Sequence, residues 1–265
     1  MDTKNDNPSE EVLLEGELSV RAAITGGMRT VKEVLLEREK LNKRDRKLIA
    51  LAAECKKRDI PVTVLTRERI DERIAEASPF AGHTHGGVAA IAGIRRFTPL
   101  SKLLDQPSAR YFVCLDGIED PYNLGYAMRT FYAMGAGGIL LPNRDYTTLD
   151  SAVLRASAGA SEHIGIALME KDDTMTADII ASRGFDILCS AKNKDSVSLF
   201  AFKPDKPSVL FIGGEKRGIS PVFMERAAHI IHIPYPNAAV RYSLPAVCVC
   251  AMYAAAFAEA PTEGN

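Results

Sequence analysis

The chain of 265 residues has no surplus of positive charge: 33 lysines and arginines face 34 acidic residues, for a net charge of -1. The protein as a whole is therefore not a polycation, and any nucleic-acid surface has to be a local patch. It also lacks a long apolar run. The longest weakly polar stretch, 246–258, falls short of the roughly 20 residues that span a bilayer. The opening MDTKNDNPSEE is too polar and acidic for a signal or transit peptide. No membrane partner is expected, and a cytoplasmic location is. Cysteines are few and odd in number: Cys55, Cys114, Cys189, Cys248 and Cys250 sit in apolar or helical contexts, which favours reduced core thiols over a disulfide framework. Cys248 and Cys250 have no histidine cluster beside them, so no metal site is expected. Walker and G-x-G-x-x-G phosphate fingerprints are both missing.

What is present is 46% apolar residues, enough core for one large domain or two of ordinary size. Residues 1–14 read as a disordered tail. From Glu15 to about Leu100 helical and strand-like segments alternate. Leu48, Leu51 and Cys55 mark a helix ending near Arg58, and residues 61–65 form a strand. Thr66 caps the helix RERIDERIAEA, whose Ile70 and Ile74 face the core. A last strand, 88–94, follows the turn His85-Gly86-Gly87. This is a small α/β domain over 15–100. Basic residues crowd into one third of it, from Arg29 and Arg38 through Lys43, Arg44, Arg46 and Lys47 to Arg58, with acidic residues interleaved. A solvated mixed-charge face and a phosphate-tracking surface both fit that pattern. Residues 101–108 read as a linker, and 109–265 as a second domain.

The second domain opens with YFVCLDGIEDPYNLGYAMRTFYAMG from Tyr111 to Gly135. Tyr111 to Leu115 is an apolar run suited to a parallel strand covered on both faces. Asn123 is placed as the cap of a helix in which Leu124, Ala127, Met128 and Phe131 form the core stripe, with Arg129 at its edge. Strand-like and helical segments then alternate, including a helix over 148–159, so a parallel sheet is expected. Two further loops stand out. Val209 to Ile212 runs into Gly213-Gly214-Glu215-Lys216-Arg217-Gly218, where glycines let a backbone approach a ligand closely. The strand 229–233 runs into Pro234-Tyr235-Pro236-Asn237, and the chain resumes at Arg241-Tyr242-Ser243-Leu244-Pro245. In an open α/β sheet such loops converge at the carboxyl ends of the strands.

The set LDGIEDPYNLGYAMRT, FIGGEKRGIS and IPYPNAAVRYSLP resembles, in order and spacing, the three signature motifs of the SpoU (TrmH-type) RNA 2'-O-ribose methyltransferases of the SPOUT superfamily. The first hundred residues, including Thr84-His85-Gly86-Gly87-Val88, look like the ribosomal-protein-L30e-like substrate-binding domain that often precedes the catalytic one. The resemblance implies an α/β catalytic domain with a trefoil-knotted parallel sheet that forms a homodimer. It implies S-adenosylmethionine (AdoMet) as cofactor and RNA as partner, with ribosomal RNA favoured over tRNA. Asn123, Arg129, Glu215 and Ser243 fall on the family's catalytic positions, and Gly213, Gly214, Gly218, Ile233 and Leu244 where its backbone cradles the cofactor. Pro245 departs from the pattern, standing where the family has an asparagine. That departure keeps open a non-catalytic RNA-binding protein on the same scaffold. Neutralising an arginine at pH 7 costs about 7.5 kcal/mol from the reference pKa, so Arg129 is read as a clamp on RNA, held by Glu215, rather than as a base.

Overall fold

Apolar runs and their caps set the order of elements in the computed structural model, which describes residues 11–77, 85–106, 108–214, 218–234 and 246–258. It begins with β1 (Glu11–Glu15), α1 (Glu17–Gly26), β2 (Val31–Glu37), α2 (Arg38–Asn42), α3 (Arg46–Lys57), β3 (Val62–Leu65), α4 (Arg67–Ala77) and β4 (Val88–Gly93). Next come α5 (Leu100–Leu104), β5 (Tyr111–Asp116), α6 (Pro121–Ala133), β6 (Ile139–Leu141), α7 (Asp150–Ala156) and β7 (Ile166–Leu168). The remainder is α8 (Asp173–Ser182), β8 (Asp186–Ser190), β9 (Val197–Ser198), β10 (Ser208–Gly213), α9 (Pro221–Glu225), β11 (His229–His232) and α10 (Ala246–Phe257). Two compact units result: Met1–Arg96 with Tyr146–His163, and Phe97–Asp145 with Ile164–Asn265.

The first unit is built on a four-stranded sheet of order β1-β4-β2-β3, in which β2 pairs parallel with β3 and β4 runs antiparallel to both of its neighbours. Both of its faces are covered. Val34 and Leu36 pack with Val20 and Ile24 of α1, Leu51 and Cys55 of α3, and Leu154 of α7, while Leu35 and Ala89 meet Ile70 and Ile74 of α4. Period-2 alternation along β2 sends its buried residues to opposite faces. α3 starts where Asp45 accepts hydrogen bonds from the backbone N–H groups of Lys47 (2.9 Å) and Leu48 (3.3 Å), satisfying donors that a helix start leaves orphaned.

The expected domain bounds need three corrections. Residues 11–14, expected within a disordered tail over 1–14, are ordered in β1: Glu11 to Glu15 pair antiparallel with Gly93 to Ala89, and Leu14 is fully buried. The expected linker over 101–108 contains most of α5, whose Leu100, Leu103 and Leu104 enter the core of the second unit. Pro99 precedes this helix as its cap residue, and the leucine spacing buries the helix. Third, residues 146–163, expected within the second domain, pack in the first unit.

That third segment is held by charge as well as by Leu154. Arg29 Nη2 donates to Glu162 Oε1 at 2.7 Å and to Asp150 Oδ1 at 2.9 Å, its Nη1 also bonds Asp150, and Arg95 Nη1 reaches Glu162 Oε1 at 3.3 Å. Glu162 and the side chain of Arg29 are fully buried. A buried charge is tolerable only when paired in this way, and the two carboxylates hold the Arg29 guanidinium charged far above the neutral range despite its burial. Backbone packing is equally close. A Cβ on Gly26 would lie 2.1 Å from the Glu162 carbonyl oxygen.

The second unit carries a seven-stranded sheet of order β7-β6-β5-β10-β8-β11-β9, with every adjacent pair parallel. Helices cover it. Phe112, Cys114, Val209, Phe211, Ile187 and Cys189 form one core layer with Ile180 of α8 and Phe223 of α9. α10 packs against α6, and its buried Tyr253 donates to the Ile231 carbonyl at 3.2 Å. β5 and β10, each buried over five consecutive residues, lie side by side at the centre.

Candidate active site at the carboxyl edge of the parallel sheet

A parallel sheet brings the carboxyl ends of all its strands to one edge, where the connecting loops can meet a ligand. Pairing of β5 with β10 runs from Tyr111↔Ser208 to Asp116↔Gly213, so the chain leaves both strands at the same level. Directly beyond, the two loops touch backbone to backbone. A Cβ built on Gly214 would sit 1.9 Å from the Gly117 carbonyl oxygen, and Gly117 itself has φ 81°, a left-handed value that glycine adopts without steric cost. The second loop then folds back over Gly213, whose added Cβ would lie 3.2 Å from the Ile219 nitrogen, while the position at Gly218 faces open space. At Gly214 the lining consists of peptide groups and leaves no room for a side chain. Such a lining suits a flat heterocyclic ligand recognised by backbone N–H and C=O groups.

β8 lies between β10 and β11. Ser190 is level with Ile212 on one side and Ile231 on the other, and the Ala191 N–H donates to the Ile231 carbonyl at 3.0 Å. The strand ends carrying Gly213 and the buried Ile233 are therefore separated by a fourth strand end that the sequence reading did not include. Its signal was the polar run Ala191-Lys192-Asn193-Lys194-Asp195 after an apolar strand. Asn193 Oδ1 there accepts the Asp195 N–H at 3.0 Å in a tight turn.

The first loop leads into α6, and here the expected cap changes. Asp120, not Asn123, is the N-cap: its carboxylate accepts the Asn123 N–H at 2.8 Å, and Pro121 takes the first helical position. Proline's fixed φ suits that position, so the helix starts three residues earlier than expected. Asn123 is consequently inside the first turn and half-buried. Leu124, Ala127, Met128 and Phe131 are buried as the spacing predicts, and they fix the helix on the sheet. Arg129 is exposed. It lies six helical positions after Asn123, which places the two about 120° apart round the axis and about 9 Å along it. They share the helix but not a face. Tyr122 and Tyr126, 50% and 43% exposed, lie on the same side as Arg129.

Glu215, Ser243, Leu244 and Pro245 lie outside the described residues, so the expected pairing of Glu215 with Arg129 is not on view. Of the expected cofactor positions, Gly213, Gly214 and Gly218 are brought together, and Ile233 stands at the end of β11 beyond β8. Burial disfavours the thiolate form of the thiols at this sheet. Burial pushes Cys189 up to about 12 and Cys114 well above its ordinary value, and only the thiolate reacts.

Comparison with known proteins agrees with this architecture. Residues 110–241 match the SpoU rRNA Methylase family. A Staphylococcus aureus protein assigned to the TrmH family of tRNA/rRNA methyltransferases is 27% identical over 229 residues, covering 85% of this chain and 87% of its own. Among solved structures, the AdoMet-bound rRNA methyltransferase from Sinorhizobium meliloti superposes with a TM-score of 0.70 at 23% identity, covering 94% of this chain and 87% of that one. A structure described as an RNA 2'-O ribose methyltransferase gives 0.69 at 19% identity, over 96% and 91% of the two chains. The matched region, residues 110–241, belongs to the SpoU (TrmH-type) family of RNA methyltransferases.

Proposed function

We propose that this protein transfers a methyl group from AdoMet to a ribose 2'-hydroxyl of RNA, with ribosomal RNA of the large-subunit type as the substrate. The observation that carries the reading is the backbone junction of Gly117 with Gly214 at the carboxyl edge, immediately ahead of the helix bearing Asn123 and Arg129. Gly213, Gly214 and Gly218 would hold the cofactor by their peptide groups, with Ile233 and Leu244 closing the cradle. AdoMet, when bound, supplies the methyl group as an electrophile on a sulfonium.

The remaining work falls to this chain's own side chains. A ribose hydroxyl is a weak nucleophile and must be oriented, its proton passing to solvent water as its oxygen takes the methyl group. Asn123 and Ser243 orient it by hydrogen bonds. Arg129, exposed at the edge of the buried stripe, grips the adjacent phosphate through its planar fork of donors, and Glu215 steadies that fork. A trefoil-knotted chain path and a homodimer belong to the same reading. The exposed tyrosines beside Arg129 support a partner subunit on that side of α6. A cytoplasmic location follows from the substrate.

The test is transfer of labelled methyl from AdoMet to total RNA. Wild-type protein should label RNA, and Arg129→Ala should lose transfer while calorimetry finds AdoMet binding intact. Loss of AdoMet binding in Arg129→Ala would contradict the RNA-side role. Pro245 favours a second reading, RNA binding without methylation, and absence of transfer by wild-type protein that binds RNA would establish it.

A further inference from the structure

The turn joining α2 to α3 in the first unit breaks local rules in a consistent direction. Between residues 38 and 47 stand six cations, Arg38, Lys40, Lys43, Arg44, Arg46 and Lys47, against two carboxylates, Glu39 and Asp45. One cation and one carboxylate are committed elsewhere. Lys40 Nζ donates to the Gly86 carbonyl at 2.7 Å, and the Asp45 carboxylate caps α3. The other five cations are solvent-exposed, and no hydrogen bond or ion pair of their side-chain heads occurs among the described residues. Glu37, which precedes them, is buried and cannot screen them in solvent.

Two of these cations occupy positions that cost stability. Arg44 ends the α2 turn with φ 57°, its N–H donating to the Leu41 carbonyl at 2.9 Å. Left-handed backbone at a helix end is normally glycine or asparagine, because a Cβ crowds the next carbonyl. Arg46 and Lys47 occupy the first turn of α3, which has no acidic residue, although the helix dipole favours negative charge there. A turn that keeps cations against both preferences has a use for them.

We infer that Arg38, Lys43, Arg44, Arg46 and Lys47 form a phosphate-tracking surface by which the first unit grips the RNA backbone away from the target nucleotide. Side-chain cations carry it, since Asp45 already caps the free N–H groups of α3. The inference rests on RNA being the substrate, but its test does not depend on methyl transfer.

The experiment measures anisotropy of a fluorescein-labelled RNA hairpin across a salt series, with thermal melting in parallel. Arg44→Gly should weaken RNA binding about fivefold at 0.1 M salt and lower the log K against log salt slope by roughly 0.7–0.9, the value of one phosphate contact. The same variant should melt a few degrees higher, because glycine relieves the left-handed backbone. Opposite signs for stability and affinity are what a solvated structural face cannot produce. The triple variant R38Q/K43Q/R46Q should weaken RNA binding about a hundredfold and leave AdoMet binding unchanged in calorimetry. Unchanged affinity and slope in both variants would overturn the inference, as would competition by polyglutamate as strong as that of RNA at equal charge, which would indicate an acidic protein. If wild-type protein showed the salt slope but no methyl transfer, the proposed reaction would fail and this surface would stand.

Discussion

Glu162→Gln probes the part of the fold that local reasoning could least anticipate. Its carboxylate is fully buried and receives the Arg29 Nη2 at 2.7 Å, the Arg29 Nε at 3.2 Å and the Arg95 Nη1 at 3.3 Å. Glutamine keeps the volume, so no cavity contributes, and the loss reports the missing charge together with an acceptor oxygen replaced by a donor amide facing the guanidinium. Removing one partner of a buried pair costs about 3–5 kcal/mol. Asp150, which is partly exposed, still neutralises Arg29, so the lower end, about 3 kcal/mol, is expected. At roughly 2–4 °C per kcal/mol for proteins of this size, the melting temperature should fall by roughly 6–12 °C. Circular dichroism gives the shift, and hydrogen exchange should show protection lost in α1 and α7 together. A fragment ending at Arg96 should show no cooperative melting, since it lacks Leu154 from the core and both carboxylates of the cluster. A loss below about 0.5 kcal/mol for Glu162→Gln, or a well-folded fragment, would refute the reasoning.

Three further outcomes follow. Burial lowers the His85 pKa, with Asp71 opposing it. The unfolded chain therefore takes up this proton at higher pH than the folded one, so stability is complete above the ordinary value near 6.5 and declines as pH falls below it. Urea midpoints at pH 7.5 and about 5.5 should separate more in wild type than in His85→Asn, and equal separations would count against the assignment. Gly214→Ala should abolish measurable AdoMet binding in calorimetry, because its Cβ would lie 1.9 Å from the Gly117 oxygen, and retained affinity would place the cofactor elsewhere. Asp120→Ala removes the α6 cap and should cost about 1 kcal/mol, read from chemical denaturation. No change would restore the capping role to Asn123.

How much of this was legible depended on whether the information was local. The stripe Leu124, Ala127, Met128 and Phe131 and the strand Tyr111 to Leu115 are set by short-range periodicity, and they appear where expected. Cap assignment failed narrowly, because Asn123 and Asp120 both carry capping chemistry and only Pro121 favours the earlier start. The home of residues 146–163 was not legible. Its anchor is the pairing of Arg29 with a glutamate 133 positions away, and a lone arginine in a charged region reads as solvated surface until its partner is known. The interposed β8 is a similar case: strand content was visible, but strand order is fixed by long-range pairing that no window of residues contains. At the site, glycine content marked Gly213 and Gly214 as places of close approach, while the meeting of Gly214 with Gly117 required the register of β5 and β10.

The most direct measurement of the central claim is a map of ribose 2'-O-methylation in RNA from cells with the gene intact, deleted, and complemented by wild type or Arg129→Ala. The account predicts a ribosomal RNA position that loses its methyl group on deletion, regains it with wild type and fails to regain it with the variant. An unchanged map on deletion, or restoration by Arg129→Ala, would contradict it.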